Sequence, residues 1–371
     1  MKCSICDSSK IQTILAKPAI TIFTNGEDKD LSPLTKYPCT LVQCGDCGHV
    51  FQPVSSALKT SLEEVYASEH AQLSTPLGVG NWGEDRAHYS VNRLKGIEKY
   101  KNKDVLEIGC GNGYLLKLLK NRGFKSLVGI EPSIKTEKLD GISFIKSYIT
   151  EETKIDLSFD FIFSFGVYEH VDDINMITSF CSRHLNDGGM LFIYVPNCNK
   201  QLALGDFDVF AHEHIQCFVP SSVRRHLMEH EYEIIDDQSD EHGIAVYAKK
   251  INKKINEKYT FEVFNKYESM VDQKLVIVKN ILSKGNVIVH GACNTLNNIL
   301  GWLDGDFEFT LVDNDNTKHG KKYFNKTVES LSSINIKNYS TVIILPAYFS
   351  NDIKADYIKK GFEGEFIVIA S

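Results

Sequence analysis

The sequence predicts an α/β protein. A doubly wound domain carries a parallel sheet, a small metal-stapled unit precedes it, and a second, smaller α/β unit follows. Three observations carry this expectation. Apolar runs at residues 104–108, 126–130, 142–145, 159–163 and 190–195 alternate with helical patterns such as 114–121, the spacing of a parallel sheet covered on both faces. Two Cys-x-x-Cys pairs, Cys3/Cys6 and Cys44/Cys47, bracket short β-like runs near the amino terminus. A second strand–turn–helix pattern begins at Val287-Ile288-Val289-His290-Gly291-Ala292. With 371 residues the chain accommodates two or three domains, placed here at 1–60, 61–250 and 251–371.

Each element follows in order. Residues 11–15, 20–24 and 40–43 read as short strands between the cysteine knuckles. Residues 62–100 read as a connector, broken by a turn at 76–80 and ending in a helix over 84–99. The doubly wound domain comes next, then a polar helical stretch over 252–283. Apolar runs at 309–312, 341–345 and 366–370 complete the last unit. There is no repeat of about 20–50 residues.

The composition is that of an ordinary globular protein, 43% hydrophobic and 24% charged with 9 prolines. A formal net charge of −7 without a basic block argues against nucleic acid as the main partner, because phosphate binding needs a concentrated basic face. The first residues lack an apolar signal region and no run of about 18 apolar residues occurs, so a cytoplasmic location without membrane insertion is expected. Of the ten cysteines only four have paired close spacing, which suits a reducing compartment and one metal site.

Glu107-Ile108-Gly109-Cys110-Gly111-Asn112-Gly113 follows the first strand of the doubly wound domain and opens a helix. Gly109, Gly111 and Gly113 let the backbone turn sharply and approach a ligand. Glu131 ends the next apolar run, where a carboxylate can take the two hydroxyls of a ribose. Together they suit an adenosine-containing cofactor. A dinucleotide fingerprint would read GxGxxG, whereas Glu107 ahead of the first glycine suits the positively charged amino-acid end of S-adenosylmethionine. The plainer alternative is a tight strand-to-helix turn without a ligand.

On these residues, with Val167-Tyr168-Glu169-His170-Val171 after the fourth strand, the chain resembles the class I methyltransferases. The resemblance implies a Rossmann-like fold, with the three glycines lining the methionine and ribose portion of S-adenosylmethionine and Glu131 on the ribose. It also places residues 146–148 beside adenine.

Cys3, Cys6, Cys44 and Cys47 supply the four thiolates of a closed tetrahedral zinc site, which leaves no open position for a reactive water and is therefore structural. Four buried free thiols are the alternative, and Cys39 or His49 are substitutes for a ligand. His212-Glu213-His214 lies beyond the fifth strand, on the side where doubly wound sheets bind ligands. Two imidazoles and a carboxylate there can move protons, and His170 points to the same place. A metal on His212 and His214, or a polar loop that only satisfies backbone groups, are the other readings.

The order of zinc unit, methyltransferase domain, Glu-His loop and second α/β domain resembles the sugar C-methyltransferases that act on nucleotide-linked keto-deoxysugars. Residues 289–292, Leu311-Val312-Asp313-Asn314-Asp315 and Lys318-His319-Gly320-Lys321 match that family's last domain. The resemblance implies His214 as the base that removes a proton beside a ketone, Glu213 as its orienting carboxylate and His170 as a further active-site group. Ala211 and His212 stand where the family commonly has a tyrosine or another polar residue, and Asn294-Thr295 where a lysine is usual. Either His212 replaces the lost donor, or the reaction is methylation of oxygen or nitrogen on a sugar, glycan or related metabolite. Tyr66 and Tyr89 are further sources of a phenol or, as residues of amphipathic helices, packing groups. A scaffold without catalysis and a nucleic-acid methyltransferase are the remaining classes, disfavoured by the intact glycine turn and the acidic balance respectively.

Overall fold

The computed structural model describes residues 1–22, 35–67, 82–251, 253, 259–323 and 325–369. The expected turn at 76–80 lies outside them, as do Thr24 and Ala370. The chain forms two compact units: Met1–Gln12, Val42–Asn199 and Glu213–Val263 make the first; Thr13–Leu41, Lys200–His212 and Phe264–Ser371 make the second. The units therefore interleave along the chain instead of following one another as three consecutive segments. Two long strands, β1 (Ile11–Thr21) and β2 (Lys36–Cys44), run from one unit into the other.

In the first unit, β3 (Val50–Phe51) pairs antiparallel with the end of β2, Val42 opposite Phe51. Helices α1 (Ser56–Ala67) and α2 (Trp82–Arg93) follow. The expected helix over 84–99 stops at Arg93, because Gly96 takes a left-handed φ of 75° and a short 3-10 turn, Ile97–Tyr100, replaces the last turns.

The main sheet then begins with β4 (Asp104–Ile108), α3 (Tyr114–Asn121), β5 (Ser126–Ile130), β6 (Lys138–Leu139), β7 (Ile142–Ile145) and β8 (Phe159–Phe165). It continues through α4 (Ile174–His184) to β9 (Leu185–Pro196). After α5 (Asn199–Leu204), β10 (Gln216–Cys217) and α6 (Pro220–Glu229), an antiparallel pair closes the sheet, β11 (Tyr232–Asp237) and β12 (Gly243–Lys250). The strand order is β11-β12-β9-β8-β4-β5-β7-β6, parallel from β9 to β7 and antiparallel where β12 joins β9. The sheet is therefore mixed, not parallel throughout as the apolar runs suggested.

Both faces are buried, which is why these strands read as continuous apolar runs. Side chains alternate between the faces: Leu106, Ile108, Val128, Ile162 and Leu191 enter one core, and Val105, Leu127, Phe161, Phe163 and Phe192 the other. The first core also takes in Cys3, Cys44 and Cys47, so the knuckles are packed on the sheet through apolar contacts.

Of the polar stretch at 252–283, only α7 (Tyr267–Leu282), in the second unit, is helical among the described residues. Residues 259–263 form no helix and lie against the second knuckle, anchored by aromatic groups. The Tyr259 hydroxyl donates to Cys47 O at 2.9 Å, and Phe261 fills the space where a Gly48 side chain would be.

The second unit continues with β13 (Val287–His290), α8 (Asn294–Trp302), β14 (Thr310–Val312), β15 (Lys322–Tyr323), β16 (Lys326–Glu329), β17 (Thr341–Ile344), α9 (Ser350–Lys359) and β18 (Glu365–Val368). Its sheet order is β15-β16-β14-β13-β17-β18. Only β15 pairs antiparallel, so this unit is α/β as well.

Gly113 ends the glycine turn at φ 73°, and a Cβ there would come within 2.7 Å of Phe144 Cζ. Gly113→Ala should cost about 1–2 kcal/mol for the left-handed backbone and about 1–3 kcal/mol for overpacking. Urea unfolding followed by circular dichroism checks this; an unchanged midpoint would contradict the turn geometry.

Candidate active site

The strand order reverses at β4, which has β5 on one side and β8 on the other. In open α/β sheets such a reversal opens a crevice at the carboxyl ends of the strands. The glycine turn occupies that place. Gly109, Gly111 and Gly113 all have positive φ, at 71°, 52° and 73°. The Gly109 N–H donates to Ile130 O at 2.9 Å, and the Gly111 N–H donates to Glu131 Oε2 at 3.2 Å. The other carboxylate oxygen of Glu131 accepts from Ser133 N at 3.1 Å and Ser133 Oγ at 2.7 Å. Glu131 thus already stands at the turn.

Glu107 sits one residue before the end of β4, buried, and its Oε2 has no hydrogen-bond partner among the described residues. Burial, and then the charge of Glu131, push its carboxyl well above the usual range. A buried carboxyl of this kind is costly by itself and is relieved by a positive group, so the residues present fit the cationic end of S-adenosylmethionine. Tyr148 is half exposed; burial, then Glu63 and Glu131, raise its phenol.

The loop after β8 lies against the turn, since a Cβ on Gly109 would meet Val167 Cγ2 at 2.3 Å. Three residues on is His170, at the end of a short 3-10 turn, Tyr168–His170. Its Nδ1 lies 2.9 Å from the backbone oxygen of Glu213. A carbonyl only accepts, so Nδ1 carries a proton. The His214 ring stands edge-on to His170 with centroids 4.9 Å apart, and His170 Nε2 is 3.8 Å from Glu169 Oε1. Glu169, His170 and His214 each offer an atom, all within 4.8 Å of one another. Glu169 is 3% exposed and was missed at the level of sequence; its place beside His170 just past the strand end was the available signal.

The structure therefore brings His170, His214 and Glu213 together. The contact of Glu213 with the pair runs through its backbone carbonyl to His170, while burial pushes its carboxyl up to about 7. His212 belongs to the second unit. It is buried, its Nε2 hydrogen-bonds to Ile20 O at 3.2 Å, its ring meets Tyr37 and Phe210 edge-on, and burial lowers its pKa to about 4. Tyr89 is 44% exposed, and its hydroxyl accepts from Arg93 Nη2 at 2.7 Å and lies 3.1 Å from the Tyr194 hydroxyl. The Tyr66 side chain lies outside the described residues.

The four knuckle cysteines converge. Cys3 Sγ lies 3.5 Å from Cys47 Sγ and Cys6 Sγ 3.6 Å from Cys44 Sγ, with all four sulfurs within 4.8 Å of one another. A tetrahedral zinc with Zn–S near 2.3 Å sets its sulfurs about 3.8 Å apart, so the donor set and spacing fit that ion. Each knuckle is closed by a residue at positive φ, Asp7 at 56° and Gly48 at 71°, whose N–H donates to the first cysteine's carbonyl, Cys3 O at 3.0 Å and Cys44 O at 2.9 Å. Hydrogen bonds among the thiols, and then burial, raise Cys3 and Cys47, whereas hydrogen bonds from Cys3 and Cys47 lower Cys44. Cys39 is a buried thiol of the second unit, raised to about 11 by burial, and His49 is engaged with Gln216 instead. All ten cysteines are unbridged.

A family profile described as a methyltransferase domain matches residues 83–237. The chain is 31% identical over 192 residues to the ubiquinone biosynthesis O-methyltransferase of Idiomarina loihiensis, covering 46% of this chain and 77% of that protein. It is 29% identical over 155 residues to the Rhizobium etli protein of the same name, covering 39% of this chain and 58% of the relative. A solved S-adenosylmethionine-dependent methyltransferase from Mesorhizobium loti aligns at 12% identity and a TM-score of 0.35, over 46% of this chain and 98% of that one. The profile match leaves out the cysteine knuckles and the α/β sheet of the second unit. No helix among the described residues is long and apolar enough to cross a membrane. The strand order, the glycine turn with its acidic partner and the likeness to the Idiomarina protein lead to one family: the chain belongs to the class I S-adenosylmethionine-dependent methyltransferases.

Proposed function

We propose that the chain transfers a methyl group from S-adenosylmethionine to the carbon beside a keto group of a nucleotide-linked sugar, in a reducing, cytoplasmic setting. The observation that carries this reading is the His170–His214 pair, whose loop abuts the glycine turn through Val167 and Gly109. Glu107, Gly109, Gly111, Gly113 and Glu131 are assigned to the cofactor, which when bound supplies an electrophilic methyl on a sulfonium. Glu107 meets its cationic end, and Glu131 keeps the turn closed while offering an oxygen to a ribose.

In this reading His214 takes the proton from the substrate carbon, with His170 fixed beside it by the Glu213 carbonyl. The electron pair left on the substrate as an enolate would be the nucleophile, and the cofactor held by Glu107, the glycine turn and Glu131 would supply the methyl carbon, with a neutral thioether as the leaving group. Bringing acceptor and methyl into line supplies much of the rate. The four thiolates are assigned to a structural zinc. A second reading is favoured by the relatives named O-methyltransferases: the acceptor is a hydroxyl, and the same imidazole takes its proton.

Incubation with S-adenosylmethionine and a panel of nucleotide-linked 4-keto sugars and their reduced forms, in deuterated water, separates the two. Methyl gain on a keto sugar with loss of a carbon-bound proton is expected; methyl gain confined to the reduced sugars would transfer the assignment to a hydroxyl.

His214→Asn should lower kcat by about 10²- to 10⁴-fold, the usual worth of a general base, with S-adenosylhomocysteine affinity unchanged by calorimetry. Retained turnover would place the base elsewhere.

Purified protein should hold one zinc per chain by elemental mass spectrometry. Cys44→Ser should release it and lower the thermal midpoint by more than about 5 °C. Full metal content in that variant would refute the four-thiolate assignment.

Glu213 has a folded-state pKa of about 7 against an ordinary value of 4.5, so the folded chain holds this proton more tightly than the unfolded one. Its ionisation therefore costs stability as pH rises from 4.5 to 7, and the cost levels off above 7. The thermal midpoint of Glu213→Gln should gain on wild type across that window and match it near pH 4. Parallel curves would contradict the burial of the carboxyl.

A further inference from the structure

Gln216 lies two residues after His214, on β10, 2% exposed. Its amide is fully used. Nε2 donates to Val171 O at 2.8 Å and Asp172 O at 3.2 Å, the two carbonyls that follow His170. Carbonyls only accept, which fixes the amide orientation and turns Oε1 the other way. There it accepts from Ser4 Oγ at 3.1 Å and from His49 Nε2 at 2.8 Å. Ser4 sits inside the first cysteine knuckle, between Cys3 and Cys6, and His49 directly follows the second, after Gly48.

Both knuckles therefore grip one oxygen of Gln216, while its nitrogen grips the loop that carries His170. Two further bonds run alongside. Asn175 Nδ2 donates to Ser4 O at 2.6 Å, and the Gln52 N–H donates to Ile215 O at 2.8 Å. His170 and His214 come from segments more than 40 residues apart, joined directly by the bond from His170 Nδ1 to Glu213 O.

We propose that Gln216 is a positioning residue through which the cysteine knuckles set the arrangement of His170 and His214. A unit that only stabilised the fold would need no saturated, buried amide aimed at the two carbonyls after a proposed catalytic histidine. Four hydrogen bonds on one side chain leave it a single orientation, and each group left unpaired in a buried site is penalised, so the amide acts as a rigid spacer.

The proposal rests on the catalytic reading of the histidine pair, and its test includes a readout independent of that reading. Gln216→Met keeps the length and removes all four bonds. In full-length zinc-loaded protein carrying 13Cε1-histidine, this variant should shift the ring signals of both His170 and His214 and weaken the cross-relaxation between them, with zinc content and S-adenosylhomocysteine affinity retained. On the methyl acceptor found active with wild type, kcat should fall by about 10- to 100-fold, as for a small misplacement of reacting groups. KM for S-adenosylmethionine should stay constant.

Unmoved histidine signals in the zinc-loaded variant would overturn the proposal, as would an unchanged kcat beside shifted signals. If Gln216→Met does not fold, Ser4→Ala removes one bond at a half-buried position. It should move the same two signals by a smaller amount, and unmoved signals there overturn the proposal equally. Absence of wild-type turnover would count against the function and leave the resonance measurement to decide the positioning.

Discussion

The backbone has to reverse direction between Ile108 and Tyr114, and the arrangement of the first unit depends on that reversal. Three glycines at positive φ make it, and the Glu131 carboxylate clasps it by accepting the Gly111 N–H. The missing side chain at Gly109 admits Val167, which draws the loop after β8 onto the turn and places His170 beyond it. A side chain at Gly109 would break the turn and push away the loop that carries the histidine. The glycine turn and the loop that carries His170 are thus coupled through one close contact, and in the proposed reading this links cofactor and acceptor geometry.

The knuckles have a related logic. Their sulfurs share a core with Ile5, Phe51, Tyr168 and Phe218, so packing alone would attach them to the sheet. Apolar contact is non-directional, however, and fixes orientation poorly. The polar bonds from Ser4 and His49 to Gln216 supply direction within that contact. His49 is buried, stacked on Phe51 with centroids 5.7 Å apart, and burial lowers its pKa to about 4. A neutral ring donating one N–H is the form that such a site tolerates.

Legibility in the sequence follows the range of the interaction. The five strands β4, β5, β7, β8 and β9 and the glycine turn were readable because strands buried on both faces are apolar at nearly every position and because glycine marks a backbone need. The antiparallel pair β11 and β12 was not read. Ile244–Ala248 is as apolar as the other strands, but only the tertiary structure seats it antiparallel beside β9. Gln216 escaped because an isolated glutamine carries no pattern, and its place arises from Ser4 and His49, distant in sequence; Glu169 stands beside His170 in sequence, but its third neighbour, His214, is supplied only by the fold. His212 shows the converse, since adjacency to Glu213 in sequence did not keep its ring with the pair: Ile20 O holds it in the second unit.

The second unit repeats the backbone of the first site with different electrostatics. After β13 the Gly291 N–H donates to Val312 O at 2.8 Å, as Gly109 does to Ile130, and the Ala292 N–H donates to Asp313 Oδ2 at 2.8 Å, as Gly111 does to Glu131. Asp313 also accepts from Lys318 Nζ at 3.1 Å, an amine that reaches Ala292 O as well. The turn of the second unit therefore carries its own cation. The first has two carboxyl groups close enough for Glu131 to raise the pKa of Glu107, and the proton-bearing partners of Glu131 are a backbone N–H and a serine. A cationic ligand gains from an acidic turn of that kind and gains little where a lysine already neutralises the carboxylate. Equivalent backbones thus differ in what they attract, and the charge balance favours the glycine turn after β4 as the place for a sulfonium cofactor.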